Sequence, residues 1–487
     1  MKTIRISIVA AFVLMCLPLL QTSVFAADAK SPVMVGIAAG YGHAIGLWSD
    51  GSVAGWGFNK SGQVGDGTKI DQYVPKKLPG LPPIIQVAAS GGQSFALDRD
   101  GKVWAWGLTY TTSNFEATGQ YYTTTLPHRL DGITDAVSIH SGGSLGAAIL
   151  KSGQIDLWYP FYDPNTNESS HRYLSLEGMG PAKSAAISGS DVFVLKQDGT
   201  VRMVNVYNEF AGRFRLESEL RIKQILPMTD IKAIAAAGND VFMLQGNGTA
   251  MRYNTLTKKL ANVHGLDRIY DIKTASNQLI ALKNNGTVWL WKYNELPLKS
   301  PVKIEGLSHI ASIAGSSSQL HFAIQKNGTA FAWGSGYYGS MGTGTGDNAD
   351  DFNTPKKIAQ PLTWVINGEE ISFSASSSIH EGKLYVPYNS VWEPLGISVT
   401  LGQTKPDNNY RIFSIWTLAY RGKTIVFKDG DPAVMYVNGK QSGIHAELRH
   451  LSNSTQFPLE LICGQFGIRY KWEPSTGIVT LESMKQN

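Results

Sequence analysis

Imidazoles and thiols are the side chains best suited to bind a metal or activate a nucleophile, and this chain spreads them thinly: 10 His and 2 Cys in 487 residues. His380, His445 and His450 form the densest group. They make neither an H-x-H pair nor the i, i+4 spacing that would put two rings on one helix face. Copper needs several imidazoles converging on one point, so neither metal nor other cofactor is expected. Asp98-Arg99-Asp100-Gly101 begins like a calcium loop, but Thr109 stands at the twelfth position where the bidentate Glu belongs. It reads as a hairpin turn. Asp347, Asp350 and Asp351 read as a solvated loop, with calcium as the alternative. The chain has no G-x-S-x-G, no Walker loop and no Cys–His pairing. Catalysis would have to come from scattered carboxylates.

Aromatic residues form a more regular set. Phe58, Tyr110, Tyr121, Tyr122, Tyr159, Phe161, Tyr162, Tyr207, Tyr337 and Tyr338 all follow strand-like apolar segments that end in Trp, Val or similar residues. Tyr offers large contact area at low entropic cost. If these positions lie on loops at one rim of a repeat structure, Tyr110, Tyr121, Tyr122, Tyr159, Tyr162, Tyr337 and Tyr338 make a binding face. The alternative is that the rings plug the mouth of the structure or pack on the next repeat.

The elements that would position them come from an internal repeat of about 40 to 50 residues. Gly51, Gly101, Gly153, Gly199, Gly248, Gly286 and Gly328 each follow Asp, Asn or Ser. Four residues before each stands Leu or Ile, six before an apolar residue, and two after Val, Ile or Ala. Five after stands an aromatic residue or Val: Trp56, Trp106, Trp158, Val204, Tyr253, Trp291 or Trp333. Alternation with period two predicts strands. Asp-Gly or Asn-Gly predicts a hairpin turn, with the three-residue form favoured because it places the minus-four and plus-two residues on one face. Outgoing segments such as Val103-Trp104-Ala105-Trp106 are apolar on both sides, which suits a strand lying between two neighbouring sheets. The expected fold is an all-β seven-bladed propeller.

The first, second and last units, at residues 42–67, 92–107 and 320–344, resemble the regulator of chromosome condensation repeat. The resemblance covers residues 35–358, with only the strand–turn–strand heart kept in units three to six. That family includes a nuclear exchange factor for a small GTPase and secreted bacterial propellers that inhibit beta-lactamases. His43 falls on the family's His. The same slot elsewhere holds Gln93, Leu145, Asp191, Asp240, Gln278 and Leu320, so it reads as a polar group bonded to backbone near a strand start.

After Pro361 the period changes. Val365-Ile366-Asn367-Gly368 is echoed by Tyr436-Val437-Asn438-Gly439, and at the same offset Val386-Pro387 matches Phe457-Pro458 and Gly396-Ile397 matches Gly467-Ile468. Each half has a stretch with helical spacing of apolar residues, the first interrupted by Pro394, which shortens a helix. Over residues 362–483 this tandem resembles the copper amine oxidase N-terminal-like, or stalk, domain of secreted Gram-positive proteins. The resemblance implies a small α+β module for attachment or spacing. The domain border is placed at 360/361, with the propeller over 27–360 and the tandem over 361–487.

Lys2 and Arg5 precede an apolar run over Ile6–Leu20, followed by small residues at Val24-Phe25-Ala26. This pattern predicts a secretory leader over 1–26. Of the two cysteines only Cys463 would remain, which rules out an internal disulfide in the mature chain. Lys and Arg number 43 against 38 Asp and Glu, with two of the cations in the leader. That near balance gives no reason to expect nucleic acid as a partner. Nothing after residue 30 is long and apolar enough to span a membrane.

The expectation is a secreted or cell-wall-associated, non-enzymatic binding protein of a Gram-positive bacterium. Its propeller would take an extracellular protein or a cell-wall glycan, and its C-terminal module would space or anchor it. A small GTPase is not expected. The alternatives are an inhibitor of a secreted or periplasmic enzyme such as a beta-lactamase, or a polysaccharide-active enzyme with two carboxylates across the ring mouth.

Overall fold

Six of the seven repeat glycines, all but Gly328, do two jobs at once in the computed structural model. The structure describes residues 32–483 except 112–120, 164–167, 209–212, 215–219, 225–228, 294–299, 346–353, 406–412, 430–432, 445 and 452–453. The leader expected over 1–26 lies outside the described residues. Gly51 closes a three-residue loop at φ 87°: Trp48 N–H donates to the Ser52 carbonyl and Gly51 N–H to the Trp48 carbonyl. Leu47 therefore faces Val53 directly, as Leu97 faces Val103 and Leu282 faces Val288. The second job lies in the next repeat. The carbonyl of Gly51 accepts Ile84 N–H at 2.9 Å, and the pattern recurs from Gly248 to Ile269 at 2.9 Å and from Gly286 to Ile310 at 3.2 Å.

Each repeat supplies one antiparallel four-stranded sheet. The first consists of Met34–Ala39, His43–Trp48, Val53–Gly57 and Gln72–Lys77 in that order, and six more follow along the chain to Lys356–Lys357. The first strand of each sheet lies innermost. It touches the first strand of the next sheet, and Ile310–Gly315 of the seventh meets Met34–Ala39 of the first. The ring is therefore closed. Every innermost strand also carries a bulge at its second residue, as at Val35, Ile85 and Tyr270; a bulge sharpens the local twist.

The core of the ring is divided among the blade boundaries. Along the second strand of a blade, alternate residues face opposite neighbours. Ile45 and Leu47 pack with Ala96 and Trp106 of the next blade, while Ala44 packs with Phe322 and Ile324 of the previous one. The repeat positions six before and five after the glycine are partners across these boundaries. Phe95 meets Trp158 edge-on at 5.3 Å, Phe322 meets Trp56 at 6.3 Å, and Phe242 meets Trp291 at 6.4 Å. Units one and seven add a second support. Trp106 donates its indole N–H to the Gln63 carbonyl and Trp56 to the Ser340 carbonyl, each at 3.0 Å. Gly65 and Gly342, where any Cβ would strike these indoles, let the loops lie flat on the rings. Among the described residues the indoles of Trp158 and Trp333 have no acceptor; the blades before them lack that glycine-rich loop in sequence.

The C-terminal residues build a smaller α+β unit with one core, which includes Trp364, Trp416, Phe457 and Phe466. Lys383–Pro387 pairs antiparallel with Ser454–Pro458, and Val386 sits directly opposite its own sequence echo, Phe457. The two halves thus meet about a local pseudo-twofold axis. Their helical stretches differ. The second forms α1, Leu459–Phe466, ended by Gly467 at φ 72°. The first keeps one 3₁₀ turn, Glu393–Leu395, because Pro394 has no N–H to give a longer helix. This unit does not hang from a linker. Tyr73 N–H donates to Ser376 Oγ at 3.2 Å and the Lys76 ammonium to the Phe373 carbonyl. Gly344 N–H donates to the Tyr73 carbonyl and Ile379 N–H to the Gly344 carbonyl, each at 2.9 Å. It therefore touches the first and seventh blades together.

Candidate binding face

The up-and-down course of each sheet puts the turn between strands one and two on the same side of the disc as the segment after strand three. That side is where the aromatic residues were expected on loops. In blades two and three the chain instead continues as strand. Val103–Thr111 pairs with Tyr121–Leu130, setting Tyr110 opposite Tyr122, and Ile155–Asp163 pairs with Glu168–Ser175. Runs such as Tyr121-Tyr122-Thr123-Thr124-Thr125 favour a pleated strand over a loop. The side chains of Tyr110, Tyr121, Tyr122 and Tyr162 lie outside the described residues. So do Asp347, Asp350 and Asp351. Tyr159 is half-buried against the cluster between blades three and four.

Tyr337 and Tyr338 stand exposed in the last blade, at 45% and 51%. Tyr338 adopts φ 57°, and its ring lies 5.0 Å from that of Phe58 in the first blade. With them stands Tyr41, 64% exposed, whose N–H donates to the Gly91 carbonyl at 2.6 Å. These rings and Ser276, Ser317, Ser318, Gln319, Ser335 and Ser340 line a cavity of about 530 Å³. A second cavity of about 390 Å³ shares Gln319, Ser335 and Tyr337, and adds Gln278, Lys292, His321 and Trp333. Tyr41 and the serines carried no repeat signal of their own. An aromatic residue in the Gly40-Tyr41-Gly42 turn and the Ser316-Ser317-Ser318 run were the available hints.

The histidines beneath this face are neutral structural groups. His43 is fully buried, and its Nε2 lies 2.9 Å from Ser94 Oγ of the next blade. His321 stacks on Trp333 at 5.3 Å, with Nε2 2.6 Å from Gln278 Oε1. Burial holds both down to about 4, as it does His140 and His171. The unfolded chain titrates its His near 6.5. Between those values the unfolded state takes up protons that the folded state refuses. The contribution of these histidines to stability is therefore complete above about pH 6.5 and falls as pH drops toward 4. Thermal melts should show Tm declining over that window, with a shallower decline in the His43→Gln, His321→Gln double variant. An unchanged slope in that variant would show that other groups set the dependence. His380 and His450 lie 3.7 Å from Glu447 and 3.2 Å from Asp429; His445 lies outside the described residues.

Residues 34–63 and 50–97 match models of the regulator of chromosome condensation (RCC1) repeat, and residues 365–481 match the copper amine oxidase N-terminal domain. The structure of yeast RCC1 (Prp20) bound to Kap60 aligns at 18% identity over 62% of this chain and 82% of that one, with a TM-score of 0.50. At that identity it shows the propeller fold alone. The human and mouse E3 ubiquitin-protein ligase HERC2 are 27% identical over 137 residues, which is 26% of this chain and 3% of HERC2. A propeller of this type joined to such a domain is the make-up of a binding or regulatory protein. By its glycine-turn repeat and its paired V-N-G segments, the chain resembles the RCC1 repeat family over residues 34–97 and the copper amine oxidase N-terminal domain over residues 365–481.

Proposed function

We propose that this chain is an exported, non-enzymatic binding protein whose ring recognises an extracellular protein or a cell-wall glycan. The observation that carries the reading is the exposed aromatic cleft at Tyr41, Phe58, Tyr337 and Tyr338, which is open and built on the turns and loops next to strands of the first and last blades. Pockets of about 300–1,000 Å³ with a few convergent polar groups are the usual form of a ligand site. The C-terminal module bonds the ring at Tyr73, Lys76 and Gly344, none of which lines the cleft, which leaves it free to space or anchor the ring at a surface. Export is supported by the cationic start and the apolar run Ile6–Leu20. Among the described residues no helix is long and apolar enough to cross a membrane.

Two measurements test this. Fractionation of cells carrying the tagged chain should place it in the medium or the wall fraction, with a mature N-terminus near Ala27. The purified mature chain should sediment with isolated cell envelopes, and the Tyr337→Ala, Tyr338→Ala variant should not. Retention of the whole chain in the cytoplasm, or equal sedimentation of both proteins, would overturn the reading.

A further inference from the structure

The cleft's chemistry narrows its ligand, on the premise that the binding reading above is right. We propose that it is a site for a neutral saccharide, taking one or two sugar rings of a longer chain. None of the side chains lining the larger cavity carries a charge near neutral pH: they are Tyr, Phe, Ser and Gln, with Gly42 between them. An anionic or cationic ligand seated on that lining would lose water and meet no opposite charge among these side chains, a costly exchange; Lys292 lines only the adjoining cavity. A polyhydroxylated neutral ligand meets the right groups. Ser276, Ser317 and Ser335 each offer one O–H donor and two acceptor lone pairs, which match a sugar hydroxyl in both roles, and Ser318 keeps part of that capacity beside its 3.0 Å bond with Ser316 Oγ.

The rings supply the second half. Sugar C–H bonds are polarised positive by their neighbouring oxygens, and the π face of an aromatic ring is negative. Tyr41, Tyr337 and Tyr338 present such rings to solvent instead of to the core. Tyr338 is held there by a left-handed backbone and by the Phe58 ring at 5.0 Å. Gly42, at φ 74°, brings the turn against Phe58 where a Cβ would lie 3.3 Å from that side chain. A further observation concerns Ser340, 1% exposed, which lines the cavity while its hydroxyl has no hydrogen-bond partner among the described residues. That hydroxyl is closed off from solvent, so Ser340 belongs to the floor beneath the rings and not to the groups that would touch a ligand. Size points the same way. A cavity of about 530 Å³ has the volume of a pocket for a small ligand segment.

The test uses the full mature chain against three soluble probes: neutral hexose and N-acetylhexosamine oligosaccharides, hexuronate oligosaccharides, and a mixture of envelope proteins. Titration calorimetry should show binding of a neutral probe that is unchanged between low and high salt. Tyr41→Ala and Tyr338→Ala should each weaken it about ten-fold, the loss of one stacked ring, at unchanged Tm. Ser340→Ala, which removes a hydroxyl closed off from solvent, should leave binding unchanged while raising or preserving Tm. If the chain sediments with envelopes through Tyr337 and Tyr338, but neutral oligosaccharides neither bind nor compete, the saccharide assignment is wrong and the binding reading stands. Preference for the hexuronates, or competition by the protein mixture alone, overturns the assignment as well. If neither envelopes nor probes bind, both readings fall together.

Discussion

Trp106→Ala should destabilise the chain by about 3–5 kcal/mol, the cost of removing a large ring from a packed interior and leaving its cavity. Trp106 is 1% exposed and packs with Ile45, Leu47, Val53, Ile84 and Ala96 at the boundary between the first two blades. Its indole N–H also satisfies the Gln63 carbonyl at 3.0 Å. Trp106→Phe should recover part of the loss, because the ring volume is largely kept while the hydrogen bond is not. Trp291→Ala should cost a similar amount through its contact with Phe242. Chemical denaturation at fixed pH reads these differences directly. A parent-like midpoint for either Ala variant would mean that the blade boundaries do not carry the core.

A comparison of two glycines in the fourth blade separates local from tertiary demands. Gly189 and Gly199 adopt φ 59° and 78°, so each would hold Ala in the left-handed region. A Cβ on Gly189 would have nothing within 4 Å, whereas one on Gly199 would lie 2.7 Å from the backbone nitrogen of Asp230. Gly189→Ala should therefore cost about 1 kcal/mol, the left-handed term alone. Gly199→Ala should cost about 2–3 kcal/mol, because the Ile231 N–H bond to the Gly199 carbonyl, 3.3 Å long, must also shift. Equal losses in the two melts would show that the repeat glycine acts only within its own hairpin.

Much of the architecture was legible from local chemistry. The three-residue turn and the facing pairs Leu47–Val53 and Leu97–Val103 depend on residues within a few positions of one another. So does the shortening of the first C-terminal helix at Pro394. Such contacts involve little chain entropy and are written in spacing alone. The pairing of Val386 with Phe457 was half visible: the echo marked the two residues as equivalent, but not as partners.

The binding face was less legible. Tyr159 and Tyr338 look alike in sequence, yet one ring packs between blades and the other stands in solvent. Exposure is set by how far each outgoing strand continues and by what the neighbouring blade offers, and that neighbour lies about a full repeat away along the chain. Tyr41 and Phe58 come from the first blade, while Tyr337 and Tyr338 come from the last. Period and turn chemistry determine that blades form. Only closure of the ring, in which the seventh inner strand meets the first, brings residues from opposite ends of the repeat array to one cleft.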